Sequence, residues 1–181
     1  MMVATETKRG LLLFLLDHFK HIKGRTRIQK MLYLTNQIGW NIINDYHFYQ
    51  YGPYSDWVKR ELDTLDQGGL IEEIKEEDRF EEKTIYEYKI TPYGSKYMHT
   101  IFSQPSDLME KTRKFFDSLR SYTTDDLEIM ASLYFLKKSD SDIDTNEKLI
   151  KFVKLYKPRF DESKIGKNLV VFKLIDDFSK N

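Results

Sequence analysis

Four histidines, His18, His21, His47 and His99, are the side chains best suited to metal or acid–base chemistry in this chain of 181 residues. His18 and His21 stand three apart, a spacing that places both on one helical face and can begin a metal pair. No carboxylate or thiolate pattern completes the set, and the chain has no cysteine. A surface histidine pair is the better reading. A Gly-rich phosphate loop, a nucleophile elbow and a zinc-hydrolase motif are all missing, and the carboxylates sit in runs instead of as one isolated pair. The expectation is a protein that is not an enzyme, with no catalytic residue, no metal site and no cofactor.

Binding chemistry is better represented. Residues 48–55 read FYQYGPYS, with Tyr49, Tyr51 and Tyr54 close together and Trp57 just beyond. Two readings stand side by side: a structural corner packed with aromatic rings, and a tyrosine-rich ridge that anchors a protein partner. The second candidate surface is basic. Lys20, Lys23, Arg25, Arg27 and Lys30 cluster where a first helix would hand over to a second, and could neutralise nucleic-acid phosphates. Their alternative is a solvated helix end.

Charge distribution weighs on that choice. The chain is neutral overall, but residues 1–60 hold nine basic and four acidic side chains, whereas residues 61–90 hold four basic and eleven acidic. Glu72, Glu73, Glu76, Glu77, Asp78, Glu81 and Glu82 would meet a phosphate backbone with like charge. A protein partner is therefore expected, with nucleic acid the alternative. Self-association through the aromatic-rich tail is open.

The elements that would position these residues follow from periodicity. Leu12, Leu15, Leu16 and Phe19 predict a first helix over about 7–19, and Leu11 and Phe14 widen its stripe so that more than one side is buried. Lys8-Arg9 before those leucines looks like the start of a signal peptide. Asp17, His18 and Lys20 cut the apolar run short of a membrane span, so a soluble cytoplasmic protein is expected. The absence of cysteine fits a reducing compartment. Gly24 separates a second helix, capped by Thr26 and ending at Gly39. His47 to Tyr51 form an extended segment that Gly52-Pro53 stops, and Ser55 caps a third helix over about 56–67 ending at Gly68-Gly69. Residues 70–75 and 84–90 read as two strands joined by a charged loop at 76–83, and Thr91-Pro92 opens a fourth helix. Gln104-Pro105 marks the boundary to an all-helical region, with helices from Asp107, from Thr124, over 147–156 and over 161–178. The fold class expected is mainly α with a small β hairpin: a winged helix-turn-helix domain over 1–103 followed by a helical C-terminal region over 104–181.

Three segments carry a family likeness. GRTRIQKMLYLTNQIGW at 24–40, YGPYS at 51–55 and LDTLDQGGLIEE at 62–73 together resemble the YwgA-like bacterial and archaeal proteins of uncharacterised function. The chain is also similar, more distantly, to the Panacea domain of SocA-type antitoxins, through Lys30, Tyr33 and Leu34 of the K-x-x-Y-L segment and through Tyr51, Gly52 and Pro53 of the corner. That resemblance implies a non-enzymatic regulatory module with antitoxin-like or adaptor-like behaviour.

Overall fold

The computed structural model describes residues 2–78, 83–104 and 106–180. It is mainly helical, with two small antiparallel sheets. In chain order the elements are α1 (Met2–Phe19), β1 (His21–Lys23), α2 (Arg25–Thr35) running into a wide π-helical turn (Asn36–Trp40), β2 (Tyr46–Tyr49), β3 (Gly52–Ser55), α3 (Asp56–Gln67), β4 (Ile71–Asp78), β5 (Lys83–Ile90) and α4 (Pro92–Ile101). Then come α5 (Asp107–Leu119), α6 (Thr124–Ser139), α7 (Asn146–Tyr156), α8 (Glu162–Lys167) and α9 (Val170–Ser179).

Three helices lack a solvent face over their middles. Leu11 to Leu16 of α1, Ile28 to Thr35 of α2 and Leu127 to Leu133 of α6 are all buried. Helices that are apolar all round must be covered on every side. Here α4 and α5 cover α1, through Phe14 against Phe102 and Phe116 at 6.2 and 5.5 Å between ring centroids. The second region is not set apart from the first: α5 and α6 pack on α2, α9 packs on the π-helical turn, and the buried apolar residues form one cluster from Leu11 to Ile175.

Capping chemistry set the helix starts as the side chains dictate. Ser55, Thr91, Ser106, Thr123 and Thr145 each accept a backbone N–H from the first turn of the helix that follows. Thr26 does not cap α2. The chain stays extended through β1 until Gly24, whose N–H donates to Tyr86 O at 2.7 Å, so α2 starts at Arg25 without a side-chain cap. The last predicted helix is two, broken at Asn168-Leu169, where Asn168 turns its amide back to Lys164 O.

The strands depart further from expectation. Gly52-Pro53 does not end the extended segment: it opens β3, which pairs with β2 in the register Tyr46↔Ser55 to Tyr49↔Gly52 around the two-residue turn Gln50-Tyr51. The charged stretch continues the hairpin, with Glu76 opposite Ile85 and Glu77 opposite Thr84. Its tip, 79–82, lies outside the described residues, as does Pro105. β1 joins this hairpin as a third strand against β5, giving the order β1-β5-β4.

Gly52 occupies a place no other residue fits well. Its φ is +83°, and a Cβ built there would fall on Ser132 Oγ of α6. A left-handed φ costs a non-glycine residue about 1–2 kcal/mol, and the clash adds to that. Gly52→Ala should lose about 2–3 kcal/mol in urea denaturation. Adding Ser132→Ala should recover only part, because Ser132 Cβ stands at an ordinary 3.6 Å while the backbone strain remains.

Candidate functional site

The β2–β3 ribbon is held from behind by one polar stripe on α2. Gln29 makes a two-way contact with Ser55: its Nε2 donates to Ser55 O at 2.9 Å, and Ser55 N donates to its Oε1 at 3.0 Å. About two turns along, at the start of the π-helical turn, Asn36 accepts from the N–H groups of Ile42 and Ile43 and donates to Ile43 O at 2.9 Å. Between them lies Lys30, only 1% exposed, whose Nζ donates to Pro53 O at 2.7 Å. Asp45 completes the frame by accepting from Ser55 Oγ at 2.5 Å and from Trp57 N at 2.8 Å.

From the other side α6 and the loop after α7 reach the same corner. Lys157, buried, donates to Gln50 O at 3.2 Å and to Glu128 Oε1 at 2.8 Å, and Arg159 donates to Glu128 Oε2 at 2.7 Å. Phe48 packs on Phe135 and Tyr156, with centroids 5.6 and 5.3 Å away. Three backbone carbonyls of one tight turn region are thus held by side chains from distant helices.

What remains outside is aromatic. Tyr49 is 59% exposed and Tyr51 42%. Tyr49 lies 5.8 Å from Tyr54, and His47 lies 5.8 Å from Tyr54 and 6.4 Å from Tyr49. Tyr49 and Tyr54 therefore share a face with His47. Tyr51 sits at the turn, with the Arg159 guanidinium 5.5 Å over its ring. Trp57, at the start of α3, contacts Lys8 of α1 at 5.7 Å.

The basic cluster does not act as one patch. Lys20 and Lys23 are exposed, Lys20 lying 3.3 Å from Asp17. Arg25 is tied into the hairpin: it donates to Tyr88 Oη, to Glu73 at 2.6 Å and to Asp63 at 3.2 Å, and stacks 4.7 Å over Tyr86. The guanidinium holds the Glu73 carboxyl below its ordinary value. Arg27 donates to Tyr122 O at 2.9 Å, and burial lowers its pKa. Lys30 lies in the interior, out of reach of any phosphate, because its position on α2 faces α6 and the ribbon. His18 and His21 also part company, His18 going to Asp117 at 2.9 Å and His21 to Glu87 at 2.7 Å.

A cleft of about 790 Å³ opens beside the corner, with Lys23, Arg25 and Tyr86 on one wall and Tyr51, Asp125 and Arg159 on the other. Sequence reasoning missed Glu128, Lys157 and Arg159 entirely. The one available signal was a carboxylate inside the apolar run 127–133. Among the described residues no helix is long and apolar enough to cross a membrane.

Burial pushes the Lys30 ammonium down from 10.5 to about 7, with the Lys157 charge helping and the Glu128 charge opposing. A lysine that is neutral when folded and protonated when unfolded makes the unfolded state bind more protons between those values. Stability must then rise with pH between about 7 and 10, by up to about 1.4 kcal/mol per unit from this group. Chemical denaturation at pH 6.5, 8 and 9.5 should show that rise in the native chain and a flatter profile in Lys30→Met.

No family model matches the chain. It is 30% identical over 118 residues to the Uncharacterized protein YwgA of Bacillus subtilis (strain 168). The shared stretch spans 63% of this chain and 66% of that protein, just under two thirds of the relative's length. Over that stretch the chain is similar to an uncharacterised bacterial protein.

Proposed function

We propose that the chain is a non-enzymatic regulatory module that binds a protein partner through the outer face of the β2–β3 ribbon. The observation that carries this reading is the contrast between the two faces of one ribbon. Behind, Gln29, Lys30 and Lys157 fix its backbone, and Asp45 holds the Ser55 hydroxyl. In front, the exposed Tyr49 stands beside Tyr54 and His47, and Tyr51 is exposed at the turn. Rigid aromatic side chains on a fixed backbone lose little entropy on binding, which is why such residues dominate the energy of protein interfaces.

The wider architecture supports a winged-helix reading. Apart from the β2–β3 ribbon inserted between α2 and α3, the order α1–β1–α2–α3–β4–β5, with β1 pairing back onto the hairpin, is the arrangement such domains use. On this reading the Panacea likeness at Lys30, Tyr33, Leu34, Tyr51, Gly52 and Pro53 points to antitoxin-like or adaptor-like behaviour in the cytoplasm. Charge argues against DNA as the partner: Arg25, Arg27 and Lys30 are engaged internally, and Glu72, Glu76 and Glu77 are exposed on the hairpin.

Affinity capture from a lysate of its own organism should retain a protein with the native chain and lose at least about 90% of it with Tyr49→Ala/Tyr54→Ala, a tenfold effect. Circular dichroism and the melting temperature should stay near native, because both rings stand outside the core. Capture unchanged by the double substitution sinks the ribbon as the binding face. Fluorescence anisotropy with mixed duplex DNA should show no tight binding at low salt. Submicromolar binding abolished by Lys20→Glu/Lys23→Glu establishes the nucleic-acid alternative instead.

A further inference from the structure

The interior behind the Tyr51 corner carries more positive charge than it answers. Glu128, 2% exposed, is the carboxylate at its centre. It meets Lys157 at 2.8 Å and Arg159 at 2.7 Å, and its charge also reaches Lys30. Lys157 and Arg159 therefore share one buried carboxylate, and Lys30, its pKa lowered to about 7 by burial, adds only part of a charge near neutral pH. Asp125 does not restore the balance, since it lies 3.6 Å from Arg159 and 3.0 Å from a third cation, Lys164. Arg25 across the cleft differs, being matched by Glu73 and Asp63. Burying like charges together is unfavourable unless a counter-charge completes the set.

That counter-charge has a place to sit. The cleft of about 790 Å³ shares Tyr51, Glu128 and Arg159 with a neighbouring smaller hollow of about 190 Å³ that Lys157 also lines. The larger volume is that of small-molecule sites, and the smaller one is on the scale of a single anionic group. Arg159 remains 48% exposed, with the Tyr51 ring holding its guanidinium at the edge of the space. Thr26, Thr84 and Thr124 line the same cleft. A planar guanidinium beside a lysine is the set that recognises phosphate, and Lys157, Arg159 and Lys164 against Glu128 and Asp125 leave one positive charge for an anionic group to answer.

We propose that this cleft binds a small phosphomonoester of nucleotide size, its phosphate in the hollow against Arg159 and Lys157 and its remainder between Tyr51 and Tyr86. The site stands independently of the protein-binding reading, whose test residues, Tyr49 and Tyr54, do not line it.

Calorimetric titration of the purified chain with adenosine 5′-monophosphate, inorganic phosphate and adenosine tests this. The monophosphate should bind saturably with a Kd below about 1 mM, phosphate about tenfold more weakly, and adenosine not measurably. Arg159→Met should weaken the monophosphate at least about tenfold, while Lys114→Met, on α5 and away from the cleft, should leave it unchanged. Absence of saturable binding overturns the proposal, as does undiminished binding by a folded Arg159→Met. Phosphate binding as tight as the monophosphate overturns the nucleotide-sized ligand. If Arg159→Met does not fold, Lys23→Met on the exposed rim must weaken the monophosphate at least about threefold, and full affinity there overturns the proposal.

Discussion

Lys30 donating to the carbonyl of Pro53 is the contact on which the corner of this molecule depends. Proline has no N–H of its own, and Gly52 before it has a left-handed φ of +83°, so the turn contributes few ladder bonds. A buried ammonium replaces them. Its burial follows from α2, whose middle is covered by α6 on one side and the ribbon on the other. Desolvation there lowers the Lys30 pKa to about 7, and Glu128 in the same interior opposes that shift. Glu128 in turn draws in Lys157 and Arg159, which connect the corner to the C-terminal helices.

Corner and C-terminal region are consequently one piece of machinery. Gln50 O, Pro53 O and Ser55 O are each held by a side chain from another element, so the ribbon has the backbone definition of a core strand pair although it lies at the surface. Two-stranded ribbons are marginal alone. This one is rigid because helices on both sides supply what a third strand would have supplied. The rear face is held by buried polar groups while the front face is aromatic, and Lys157, which holds Gln50 O, also lines the smaller hollow beside the corner.

The second sheet is governed by a different network. Tyr88, wholly buried, donates to Glu73 at 2.6 Å, and Arg25 bridges Glu73 to α3 through Asp63. The acidic hairpin is thereby neutralised at its base. Its outer carboxylates, Glu72, Glu76 and Glu77, remain exposed. Charge that looked like a block in the sequence is divided by the fold into an engaged part and a free part.

Much of the element order was legible in the residues themselves. Ser55 before Asp56, Thr91 before Pro92 and Gly68-Gly69 after α3 act on backbone groups within one turn, so their effects can be read locally. The apolar stripe of α1 predicted a deeply buried helix for the same reason. Pairing could not be read in this way. β1 is three residues long and becomes a strand only because β5 lies beside it, and Gly52-Pro53 reads as a stop until Ser132, Lys30 and Gln29 fix it as the start of a strand. Arg25, Arg27 and Lys30 form one basic cluster along the chain, yet face three different surroundings once α2 is packed. Glu128 lies 29 residues from Lys157 and 31 from Arg159, with no periodicity linking them. The sequence by itself determined where side-chain-capped helices such as α3 and α4 begin and where glycine ends α3, because those depend on neighbours a turn away. Only the tertiary structure decided which charges are buried, which carbonyls they hold and where a cleft opens, because desolvation depends on what the rest of the chain places around each group.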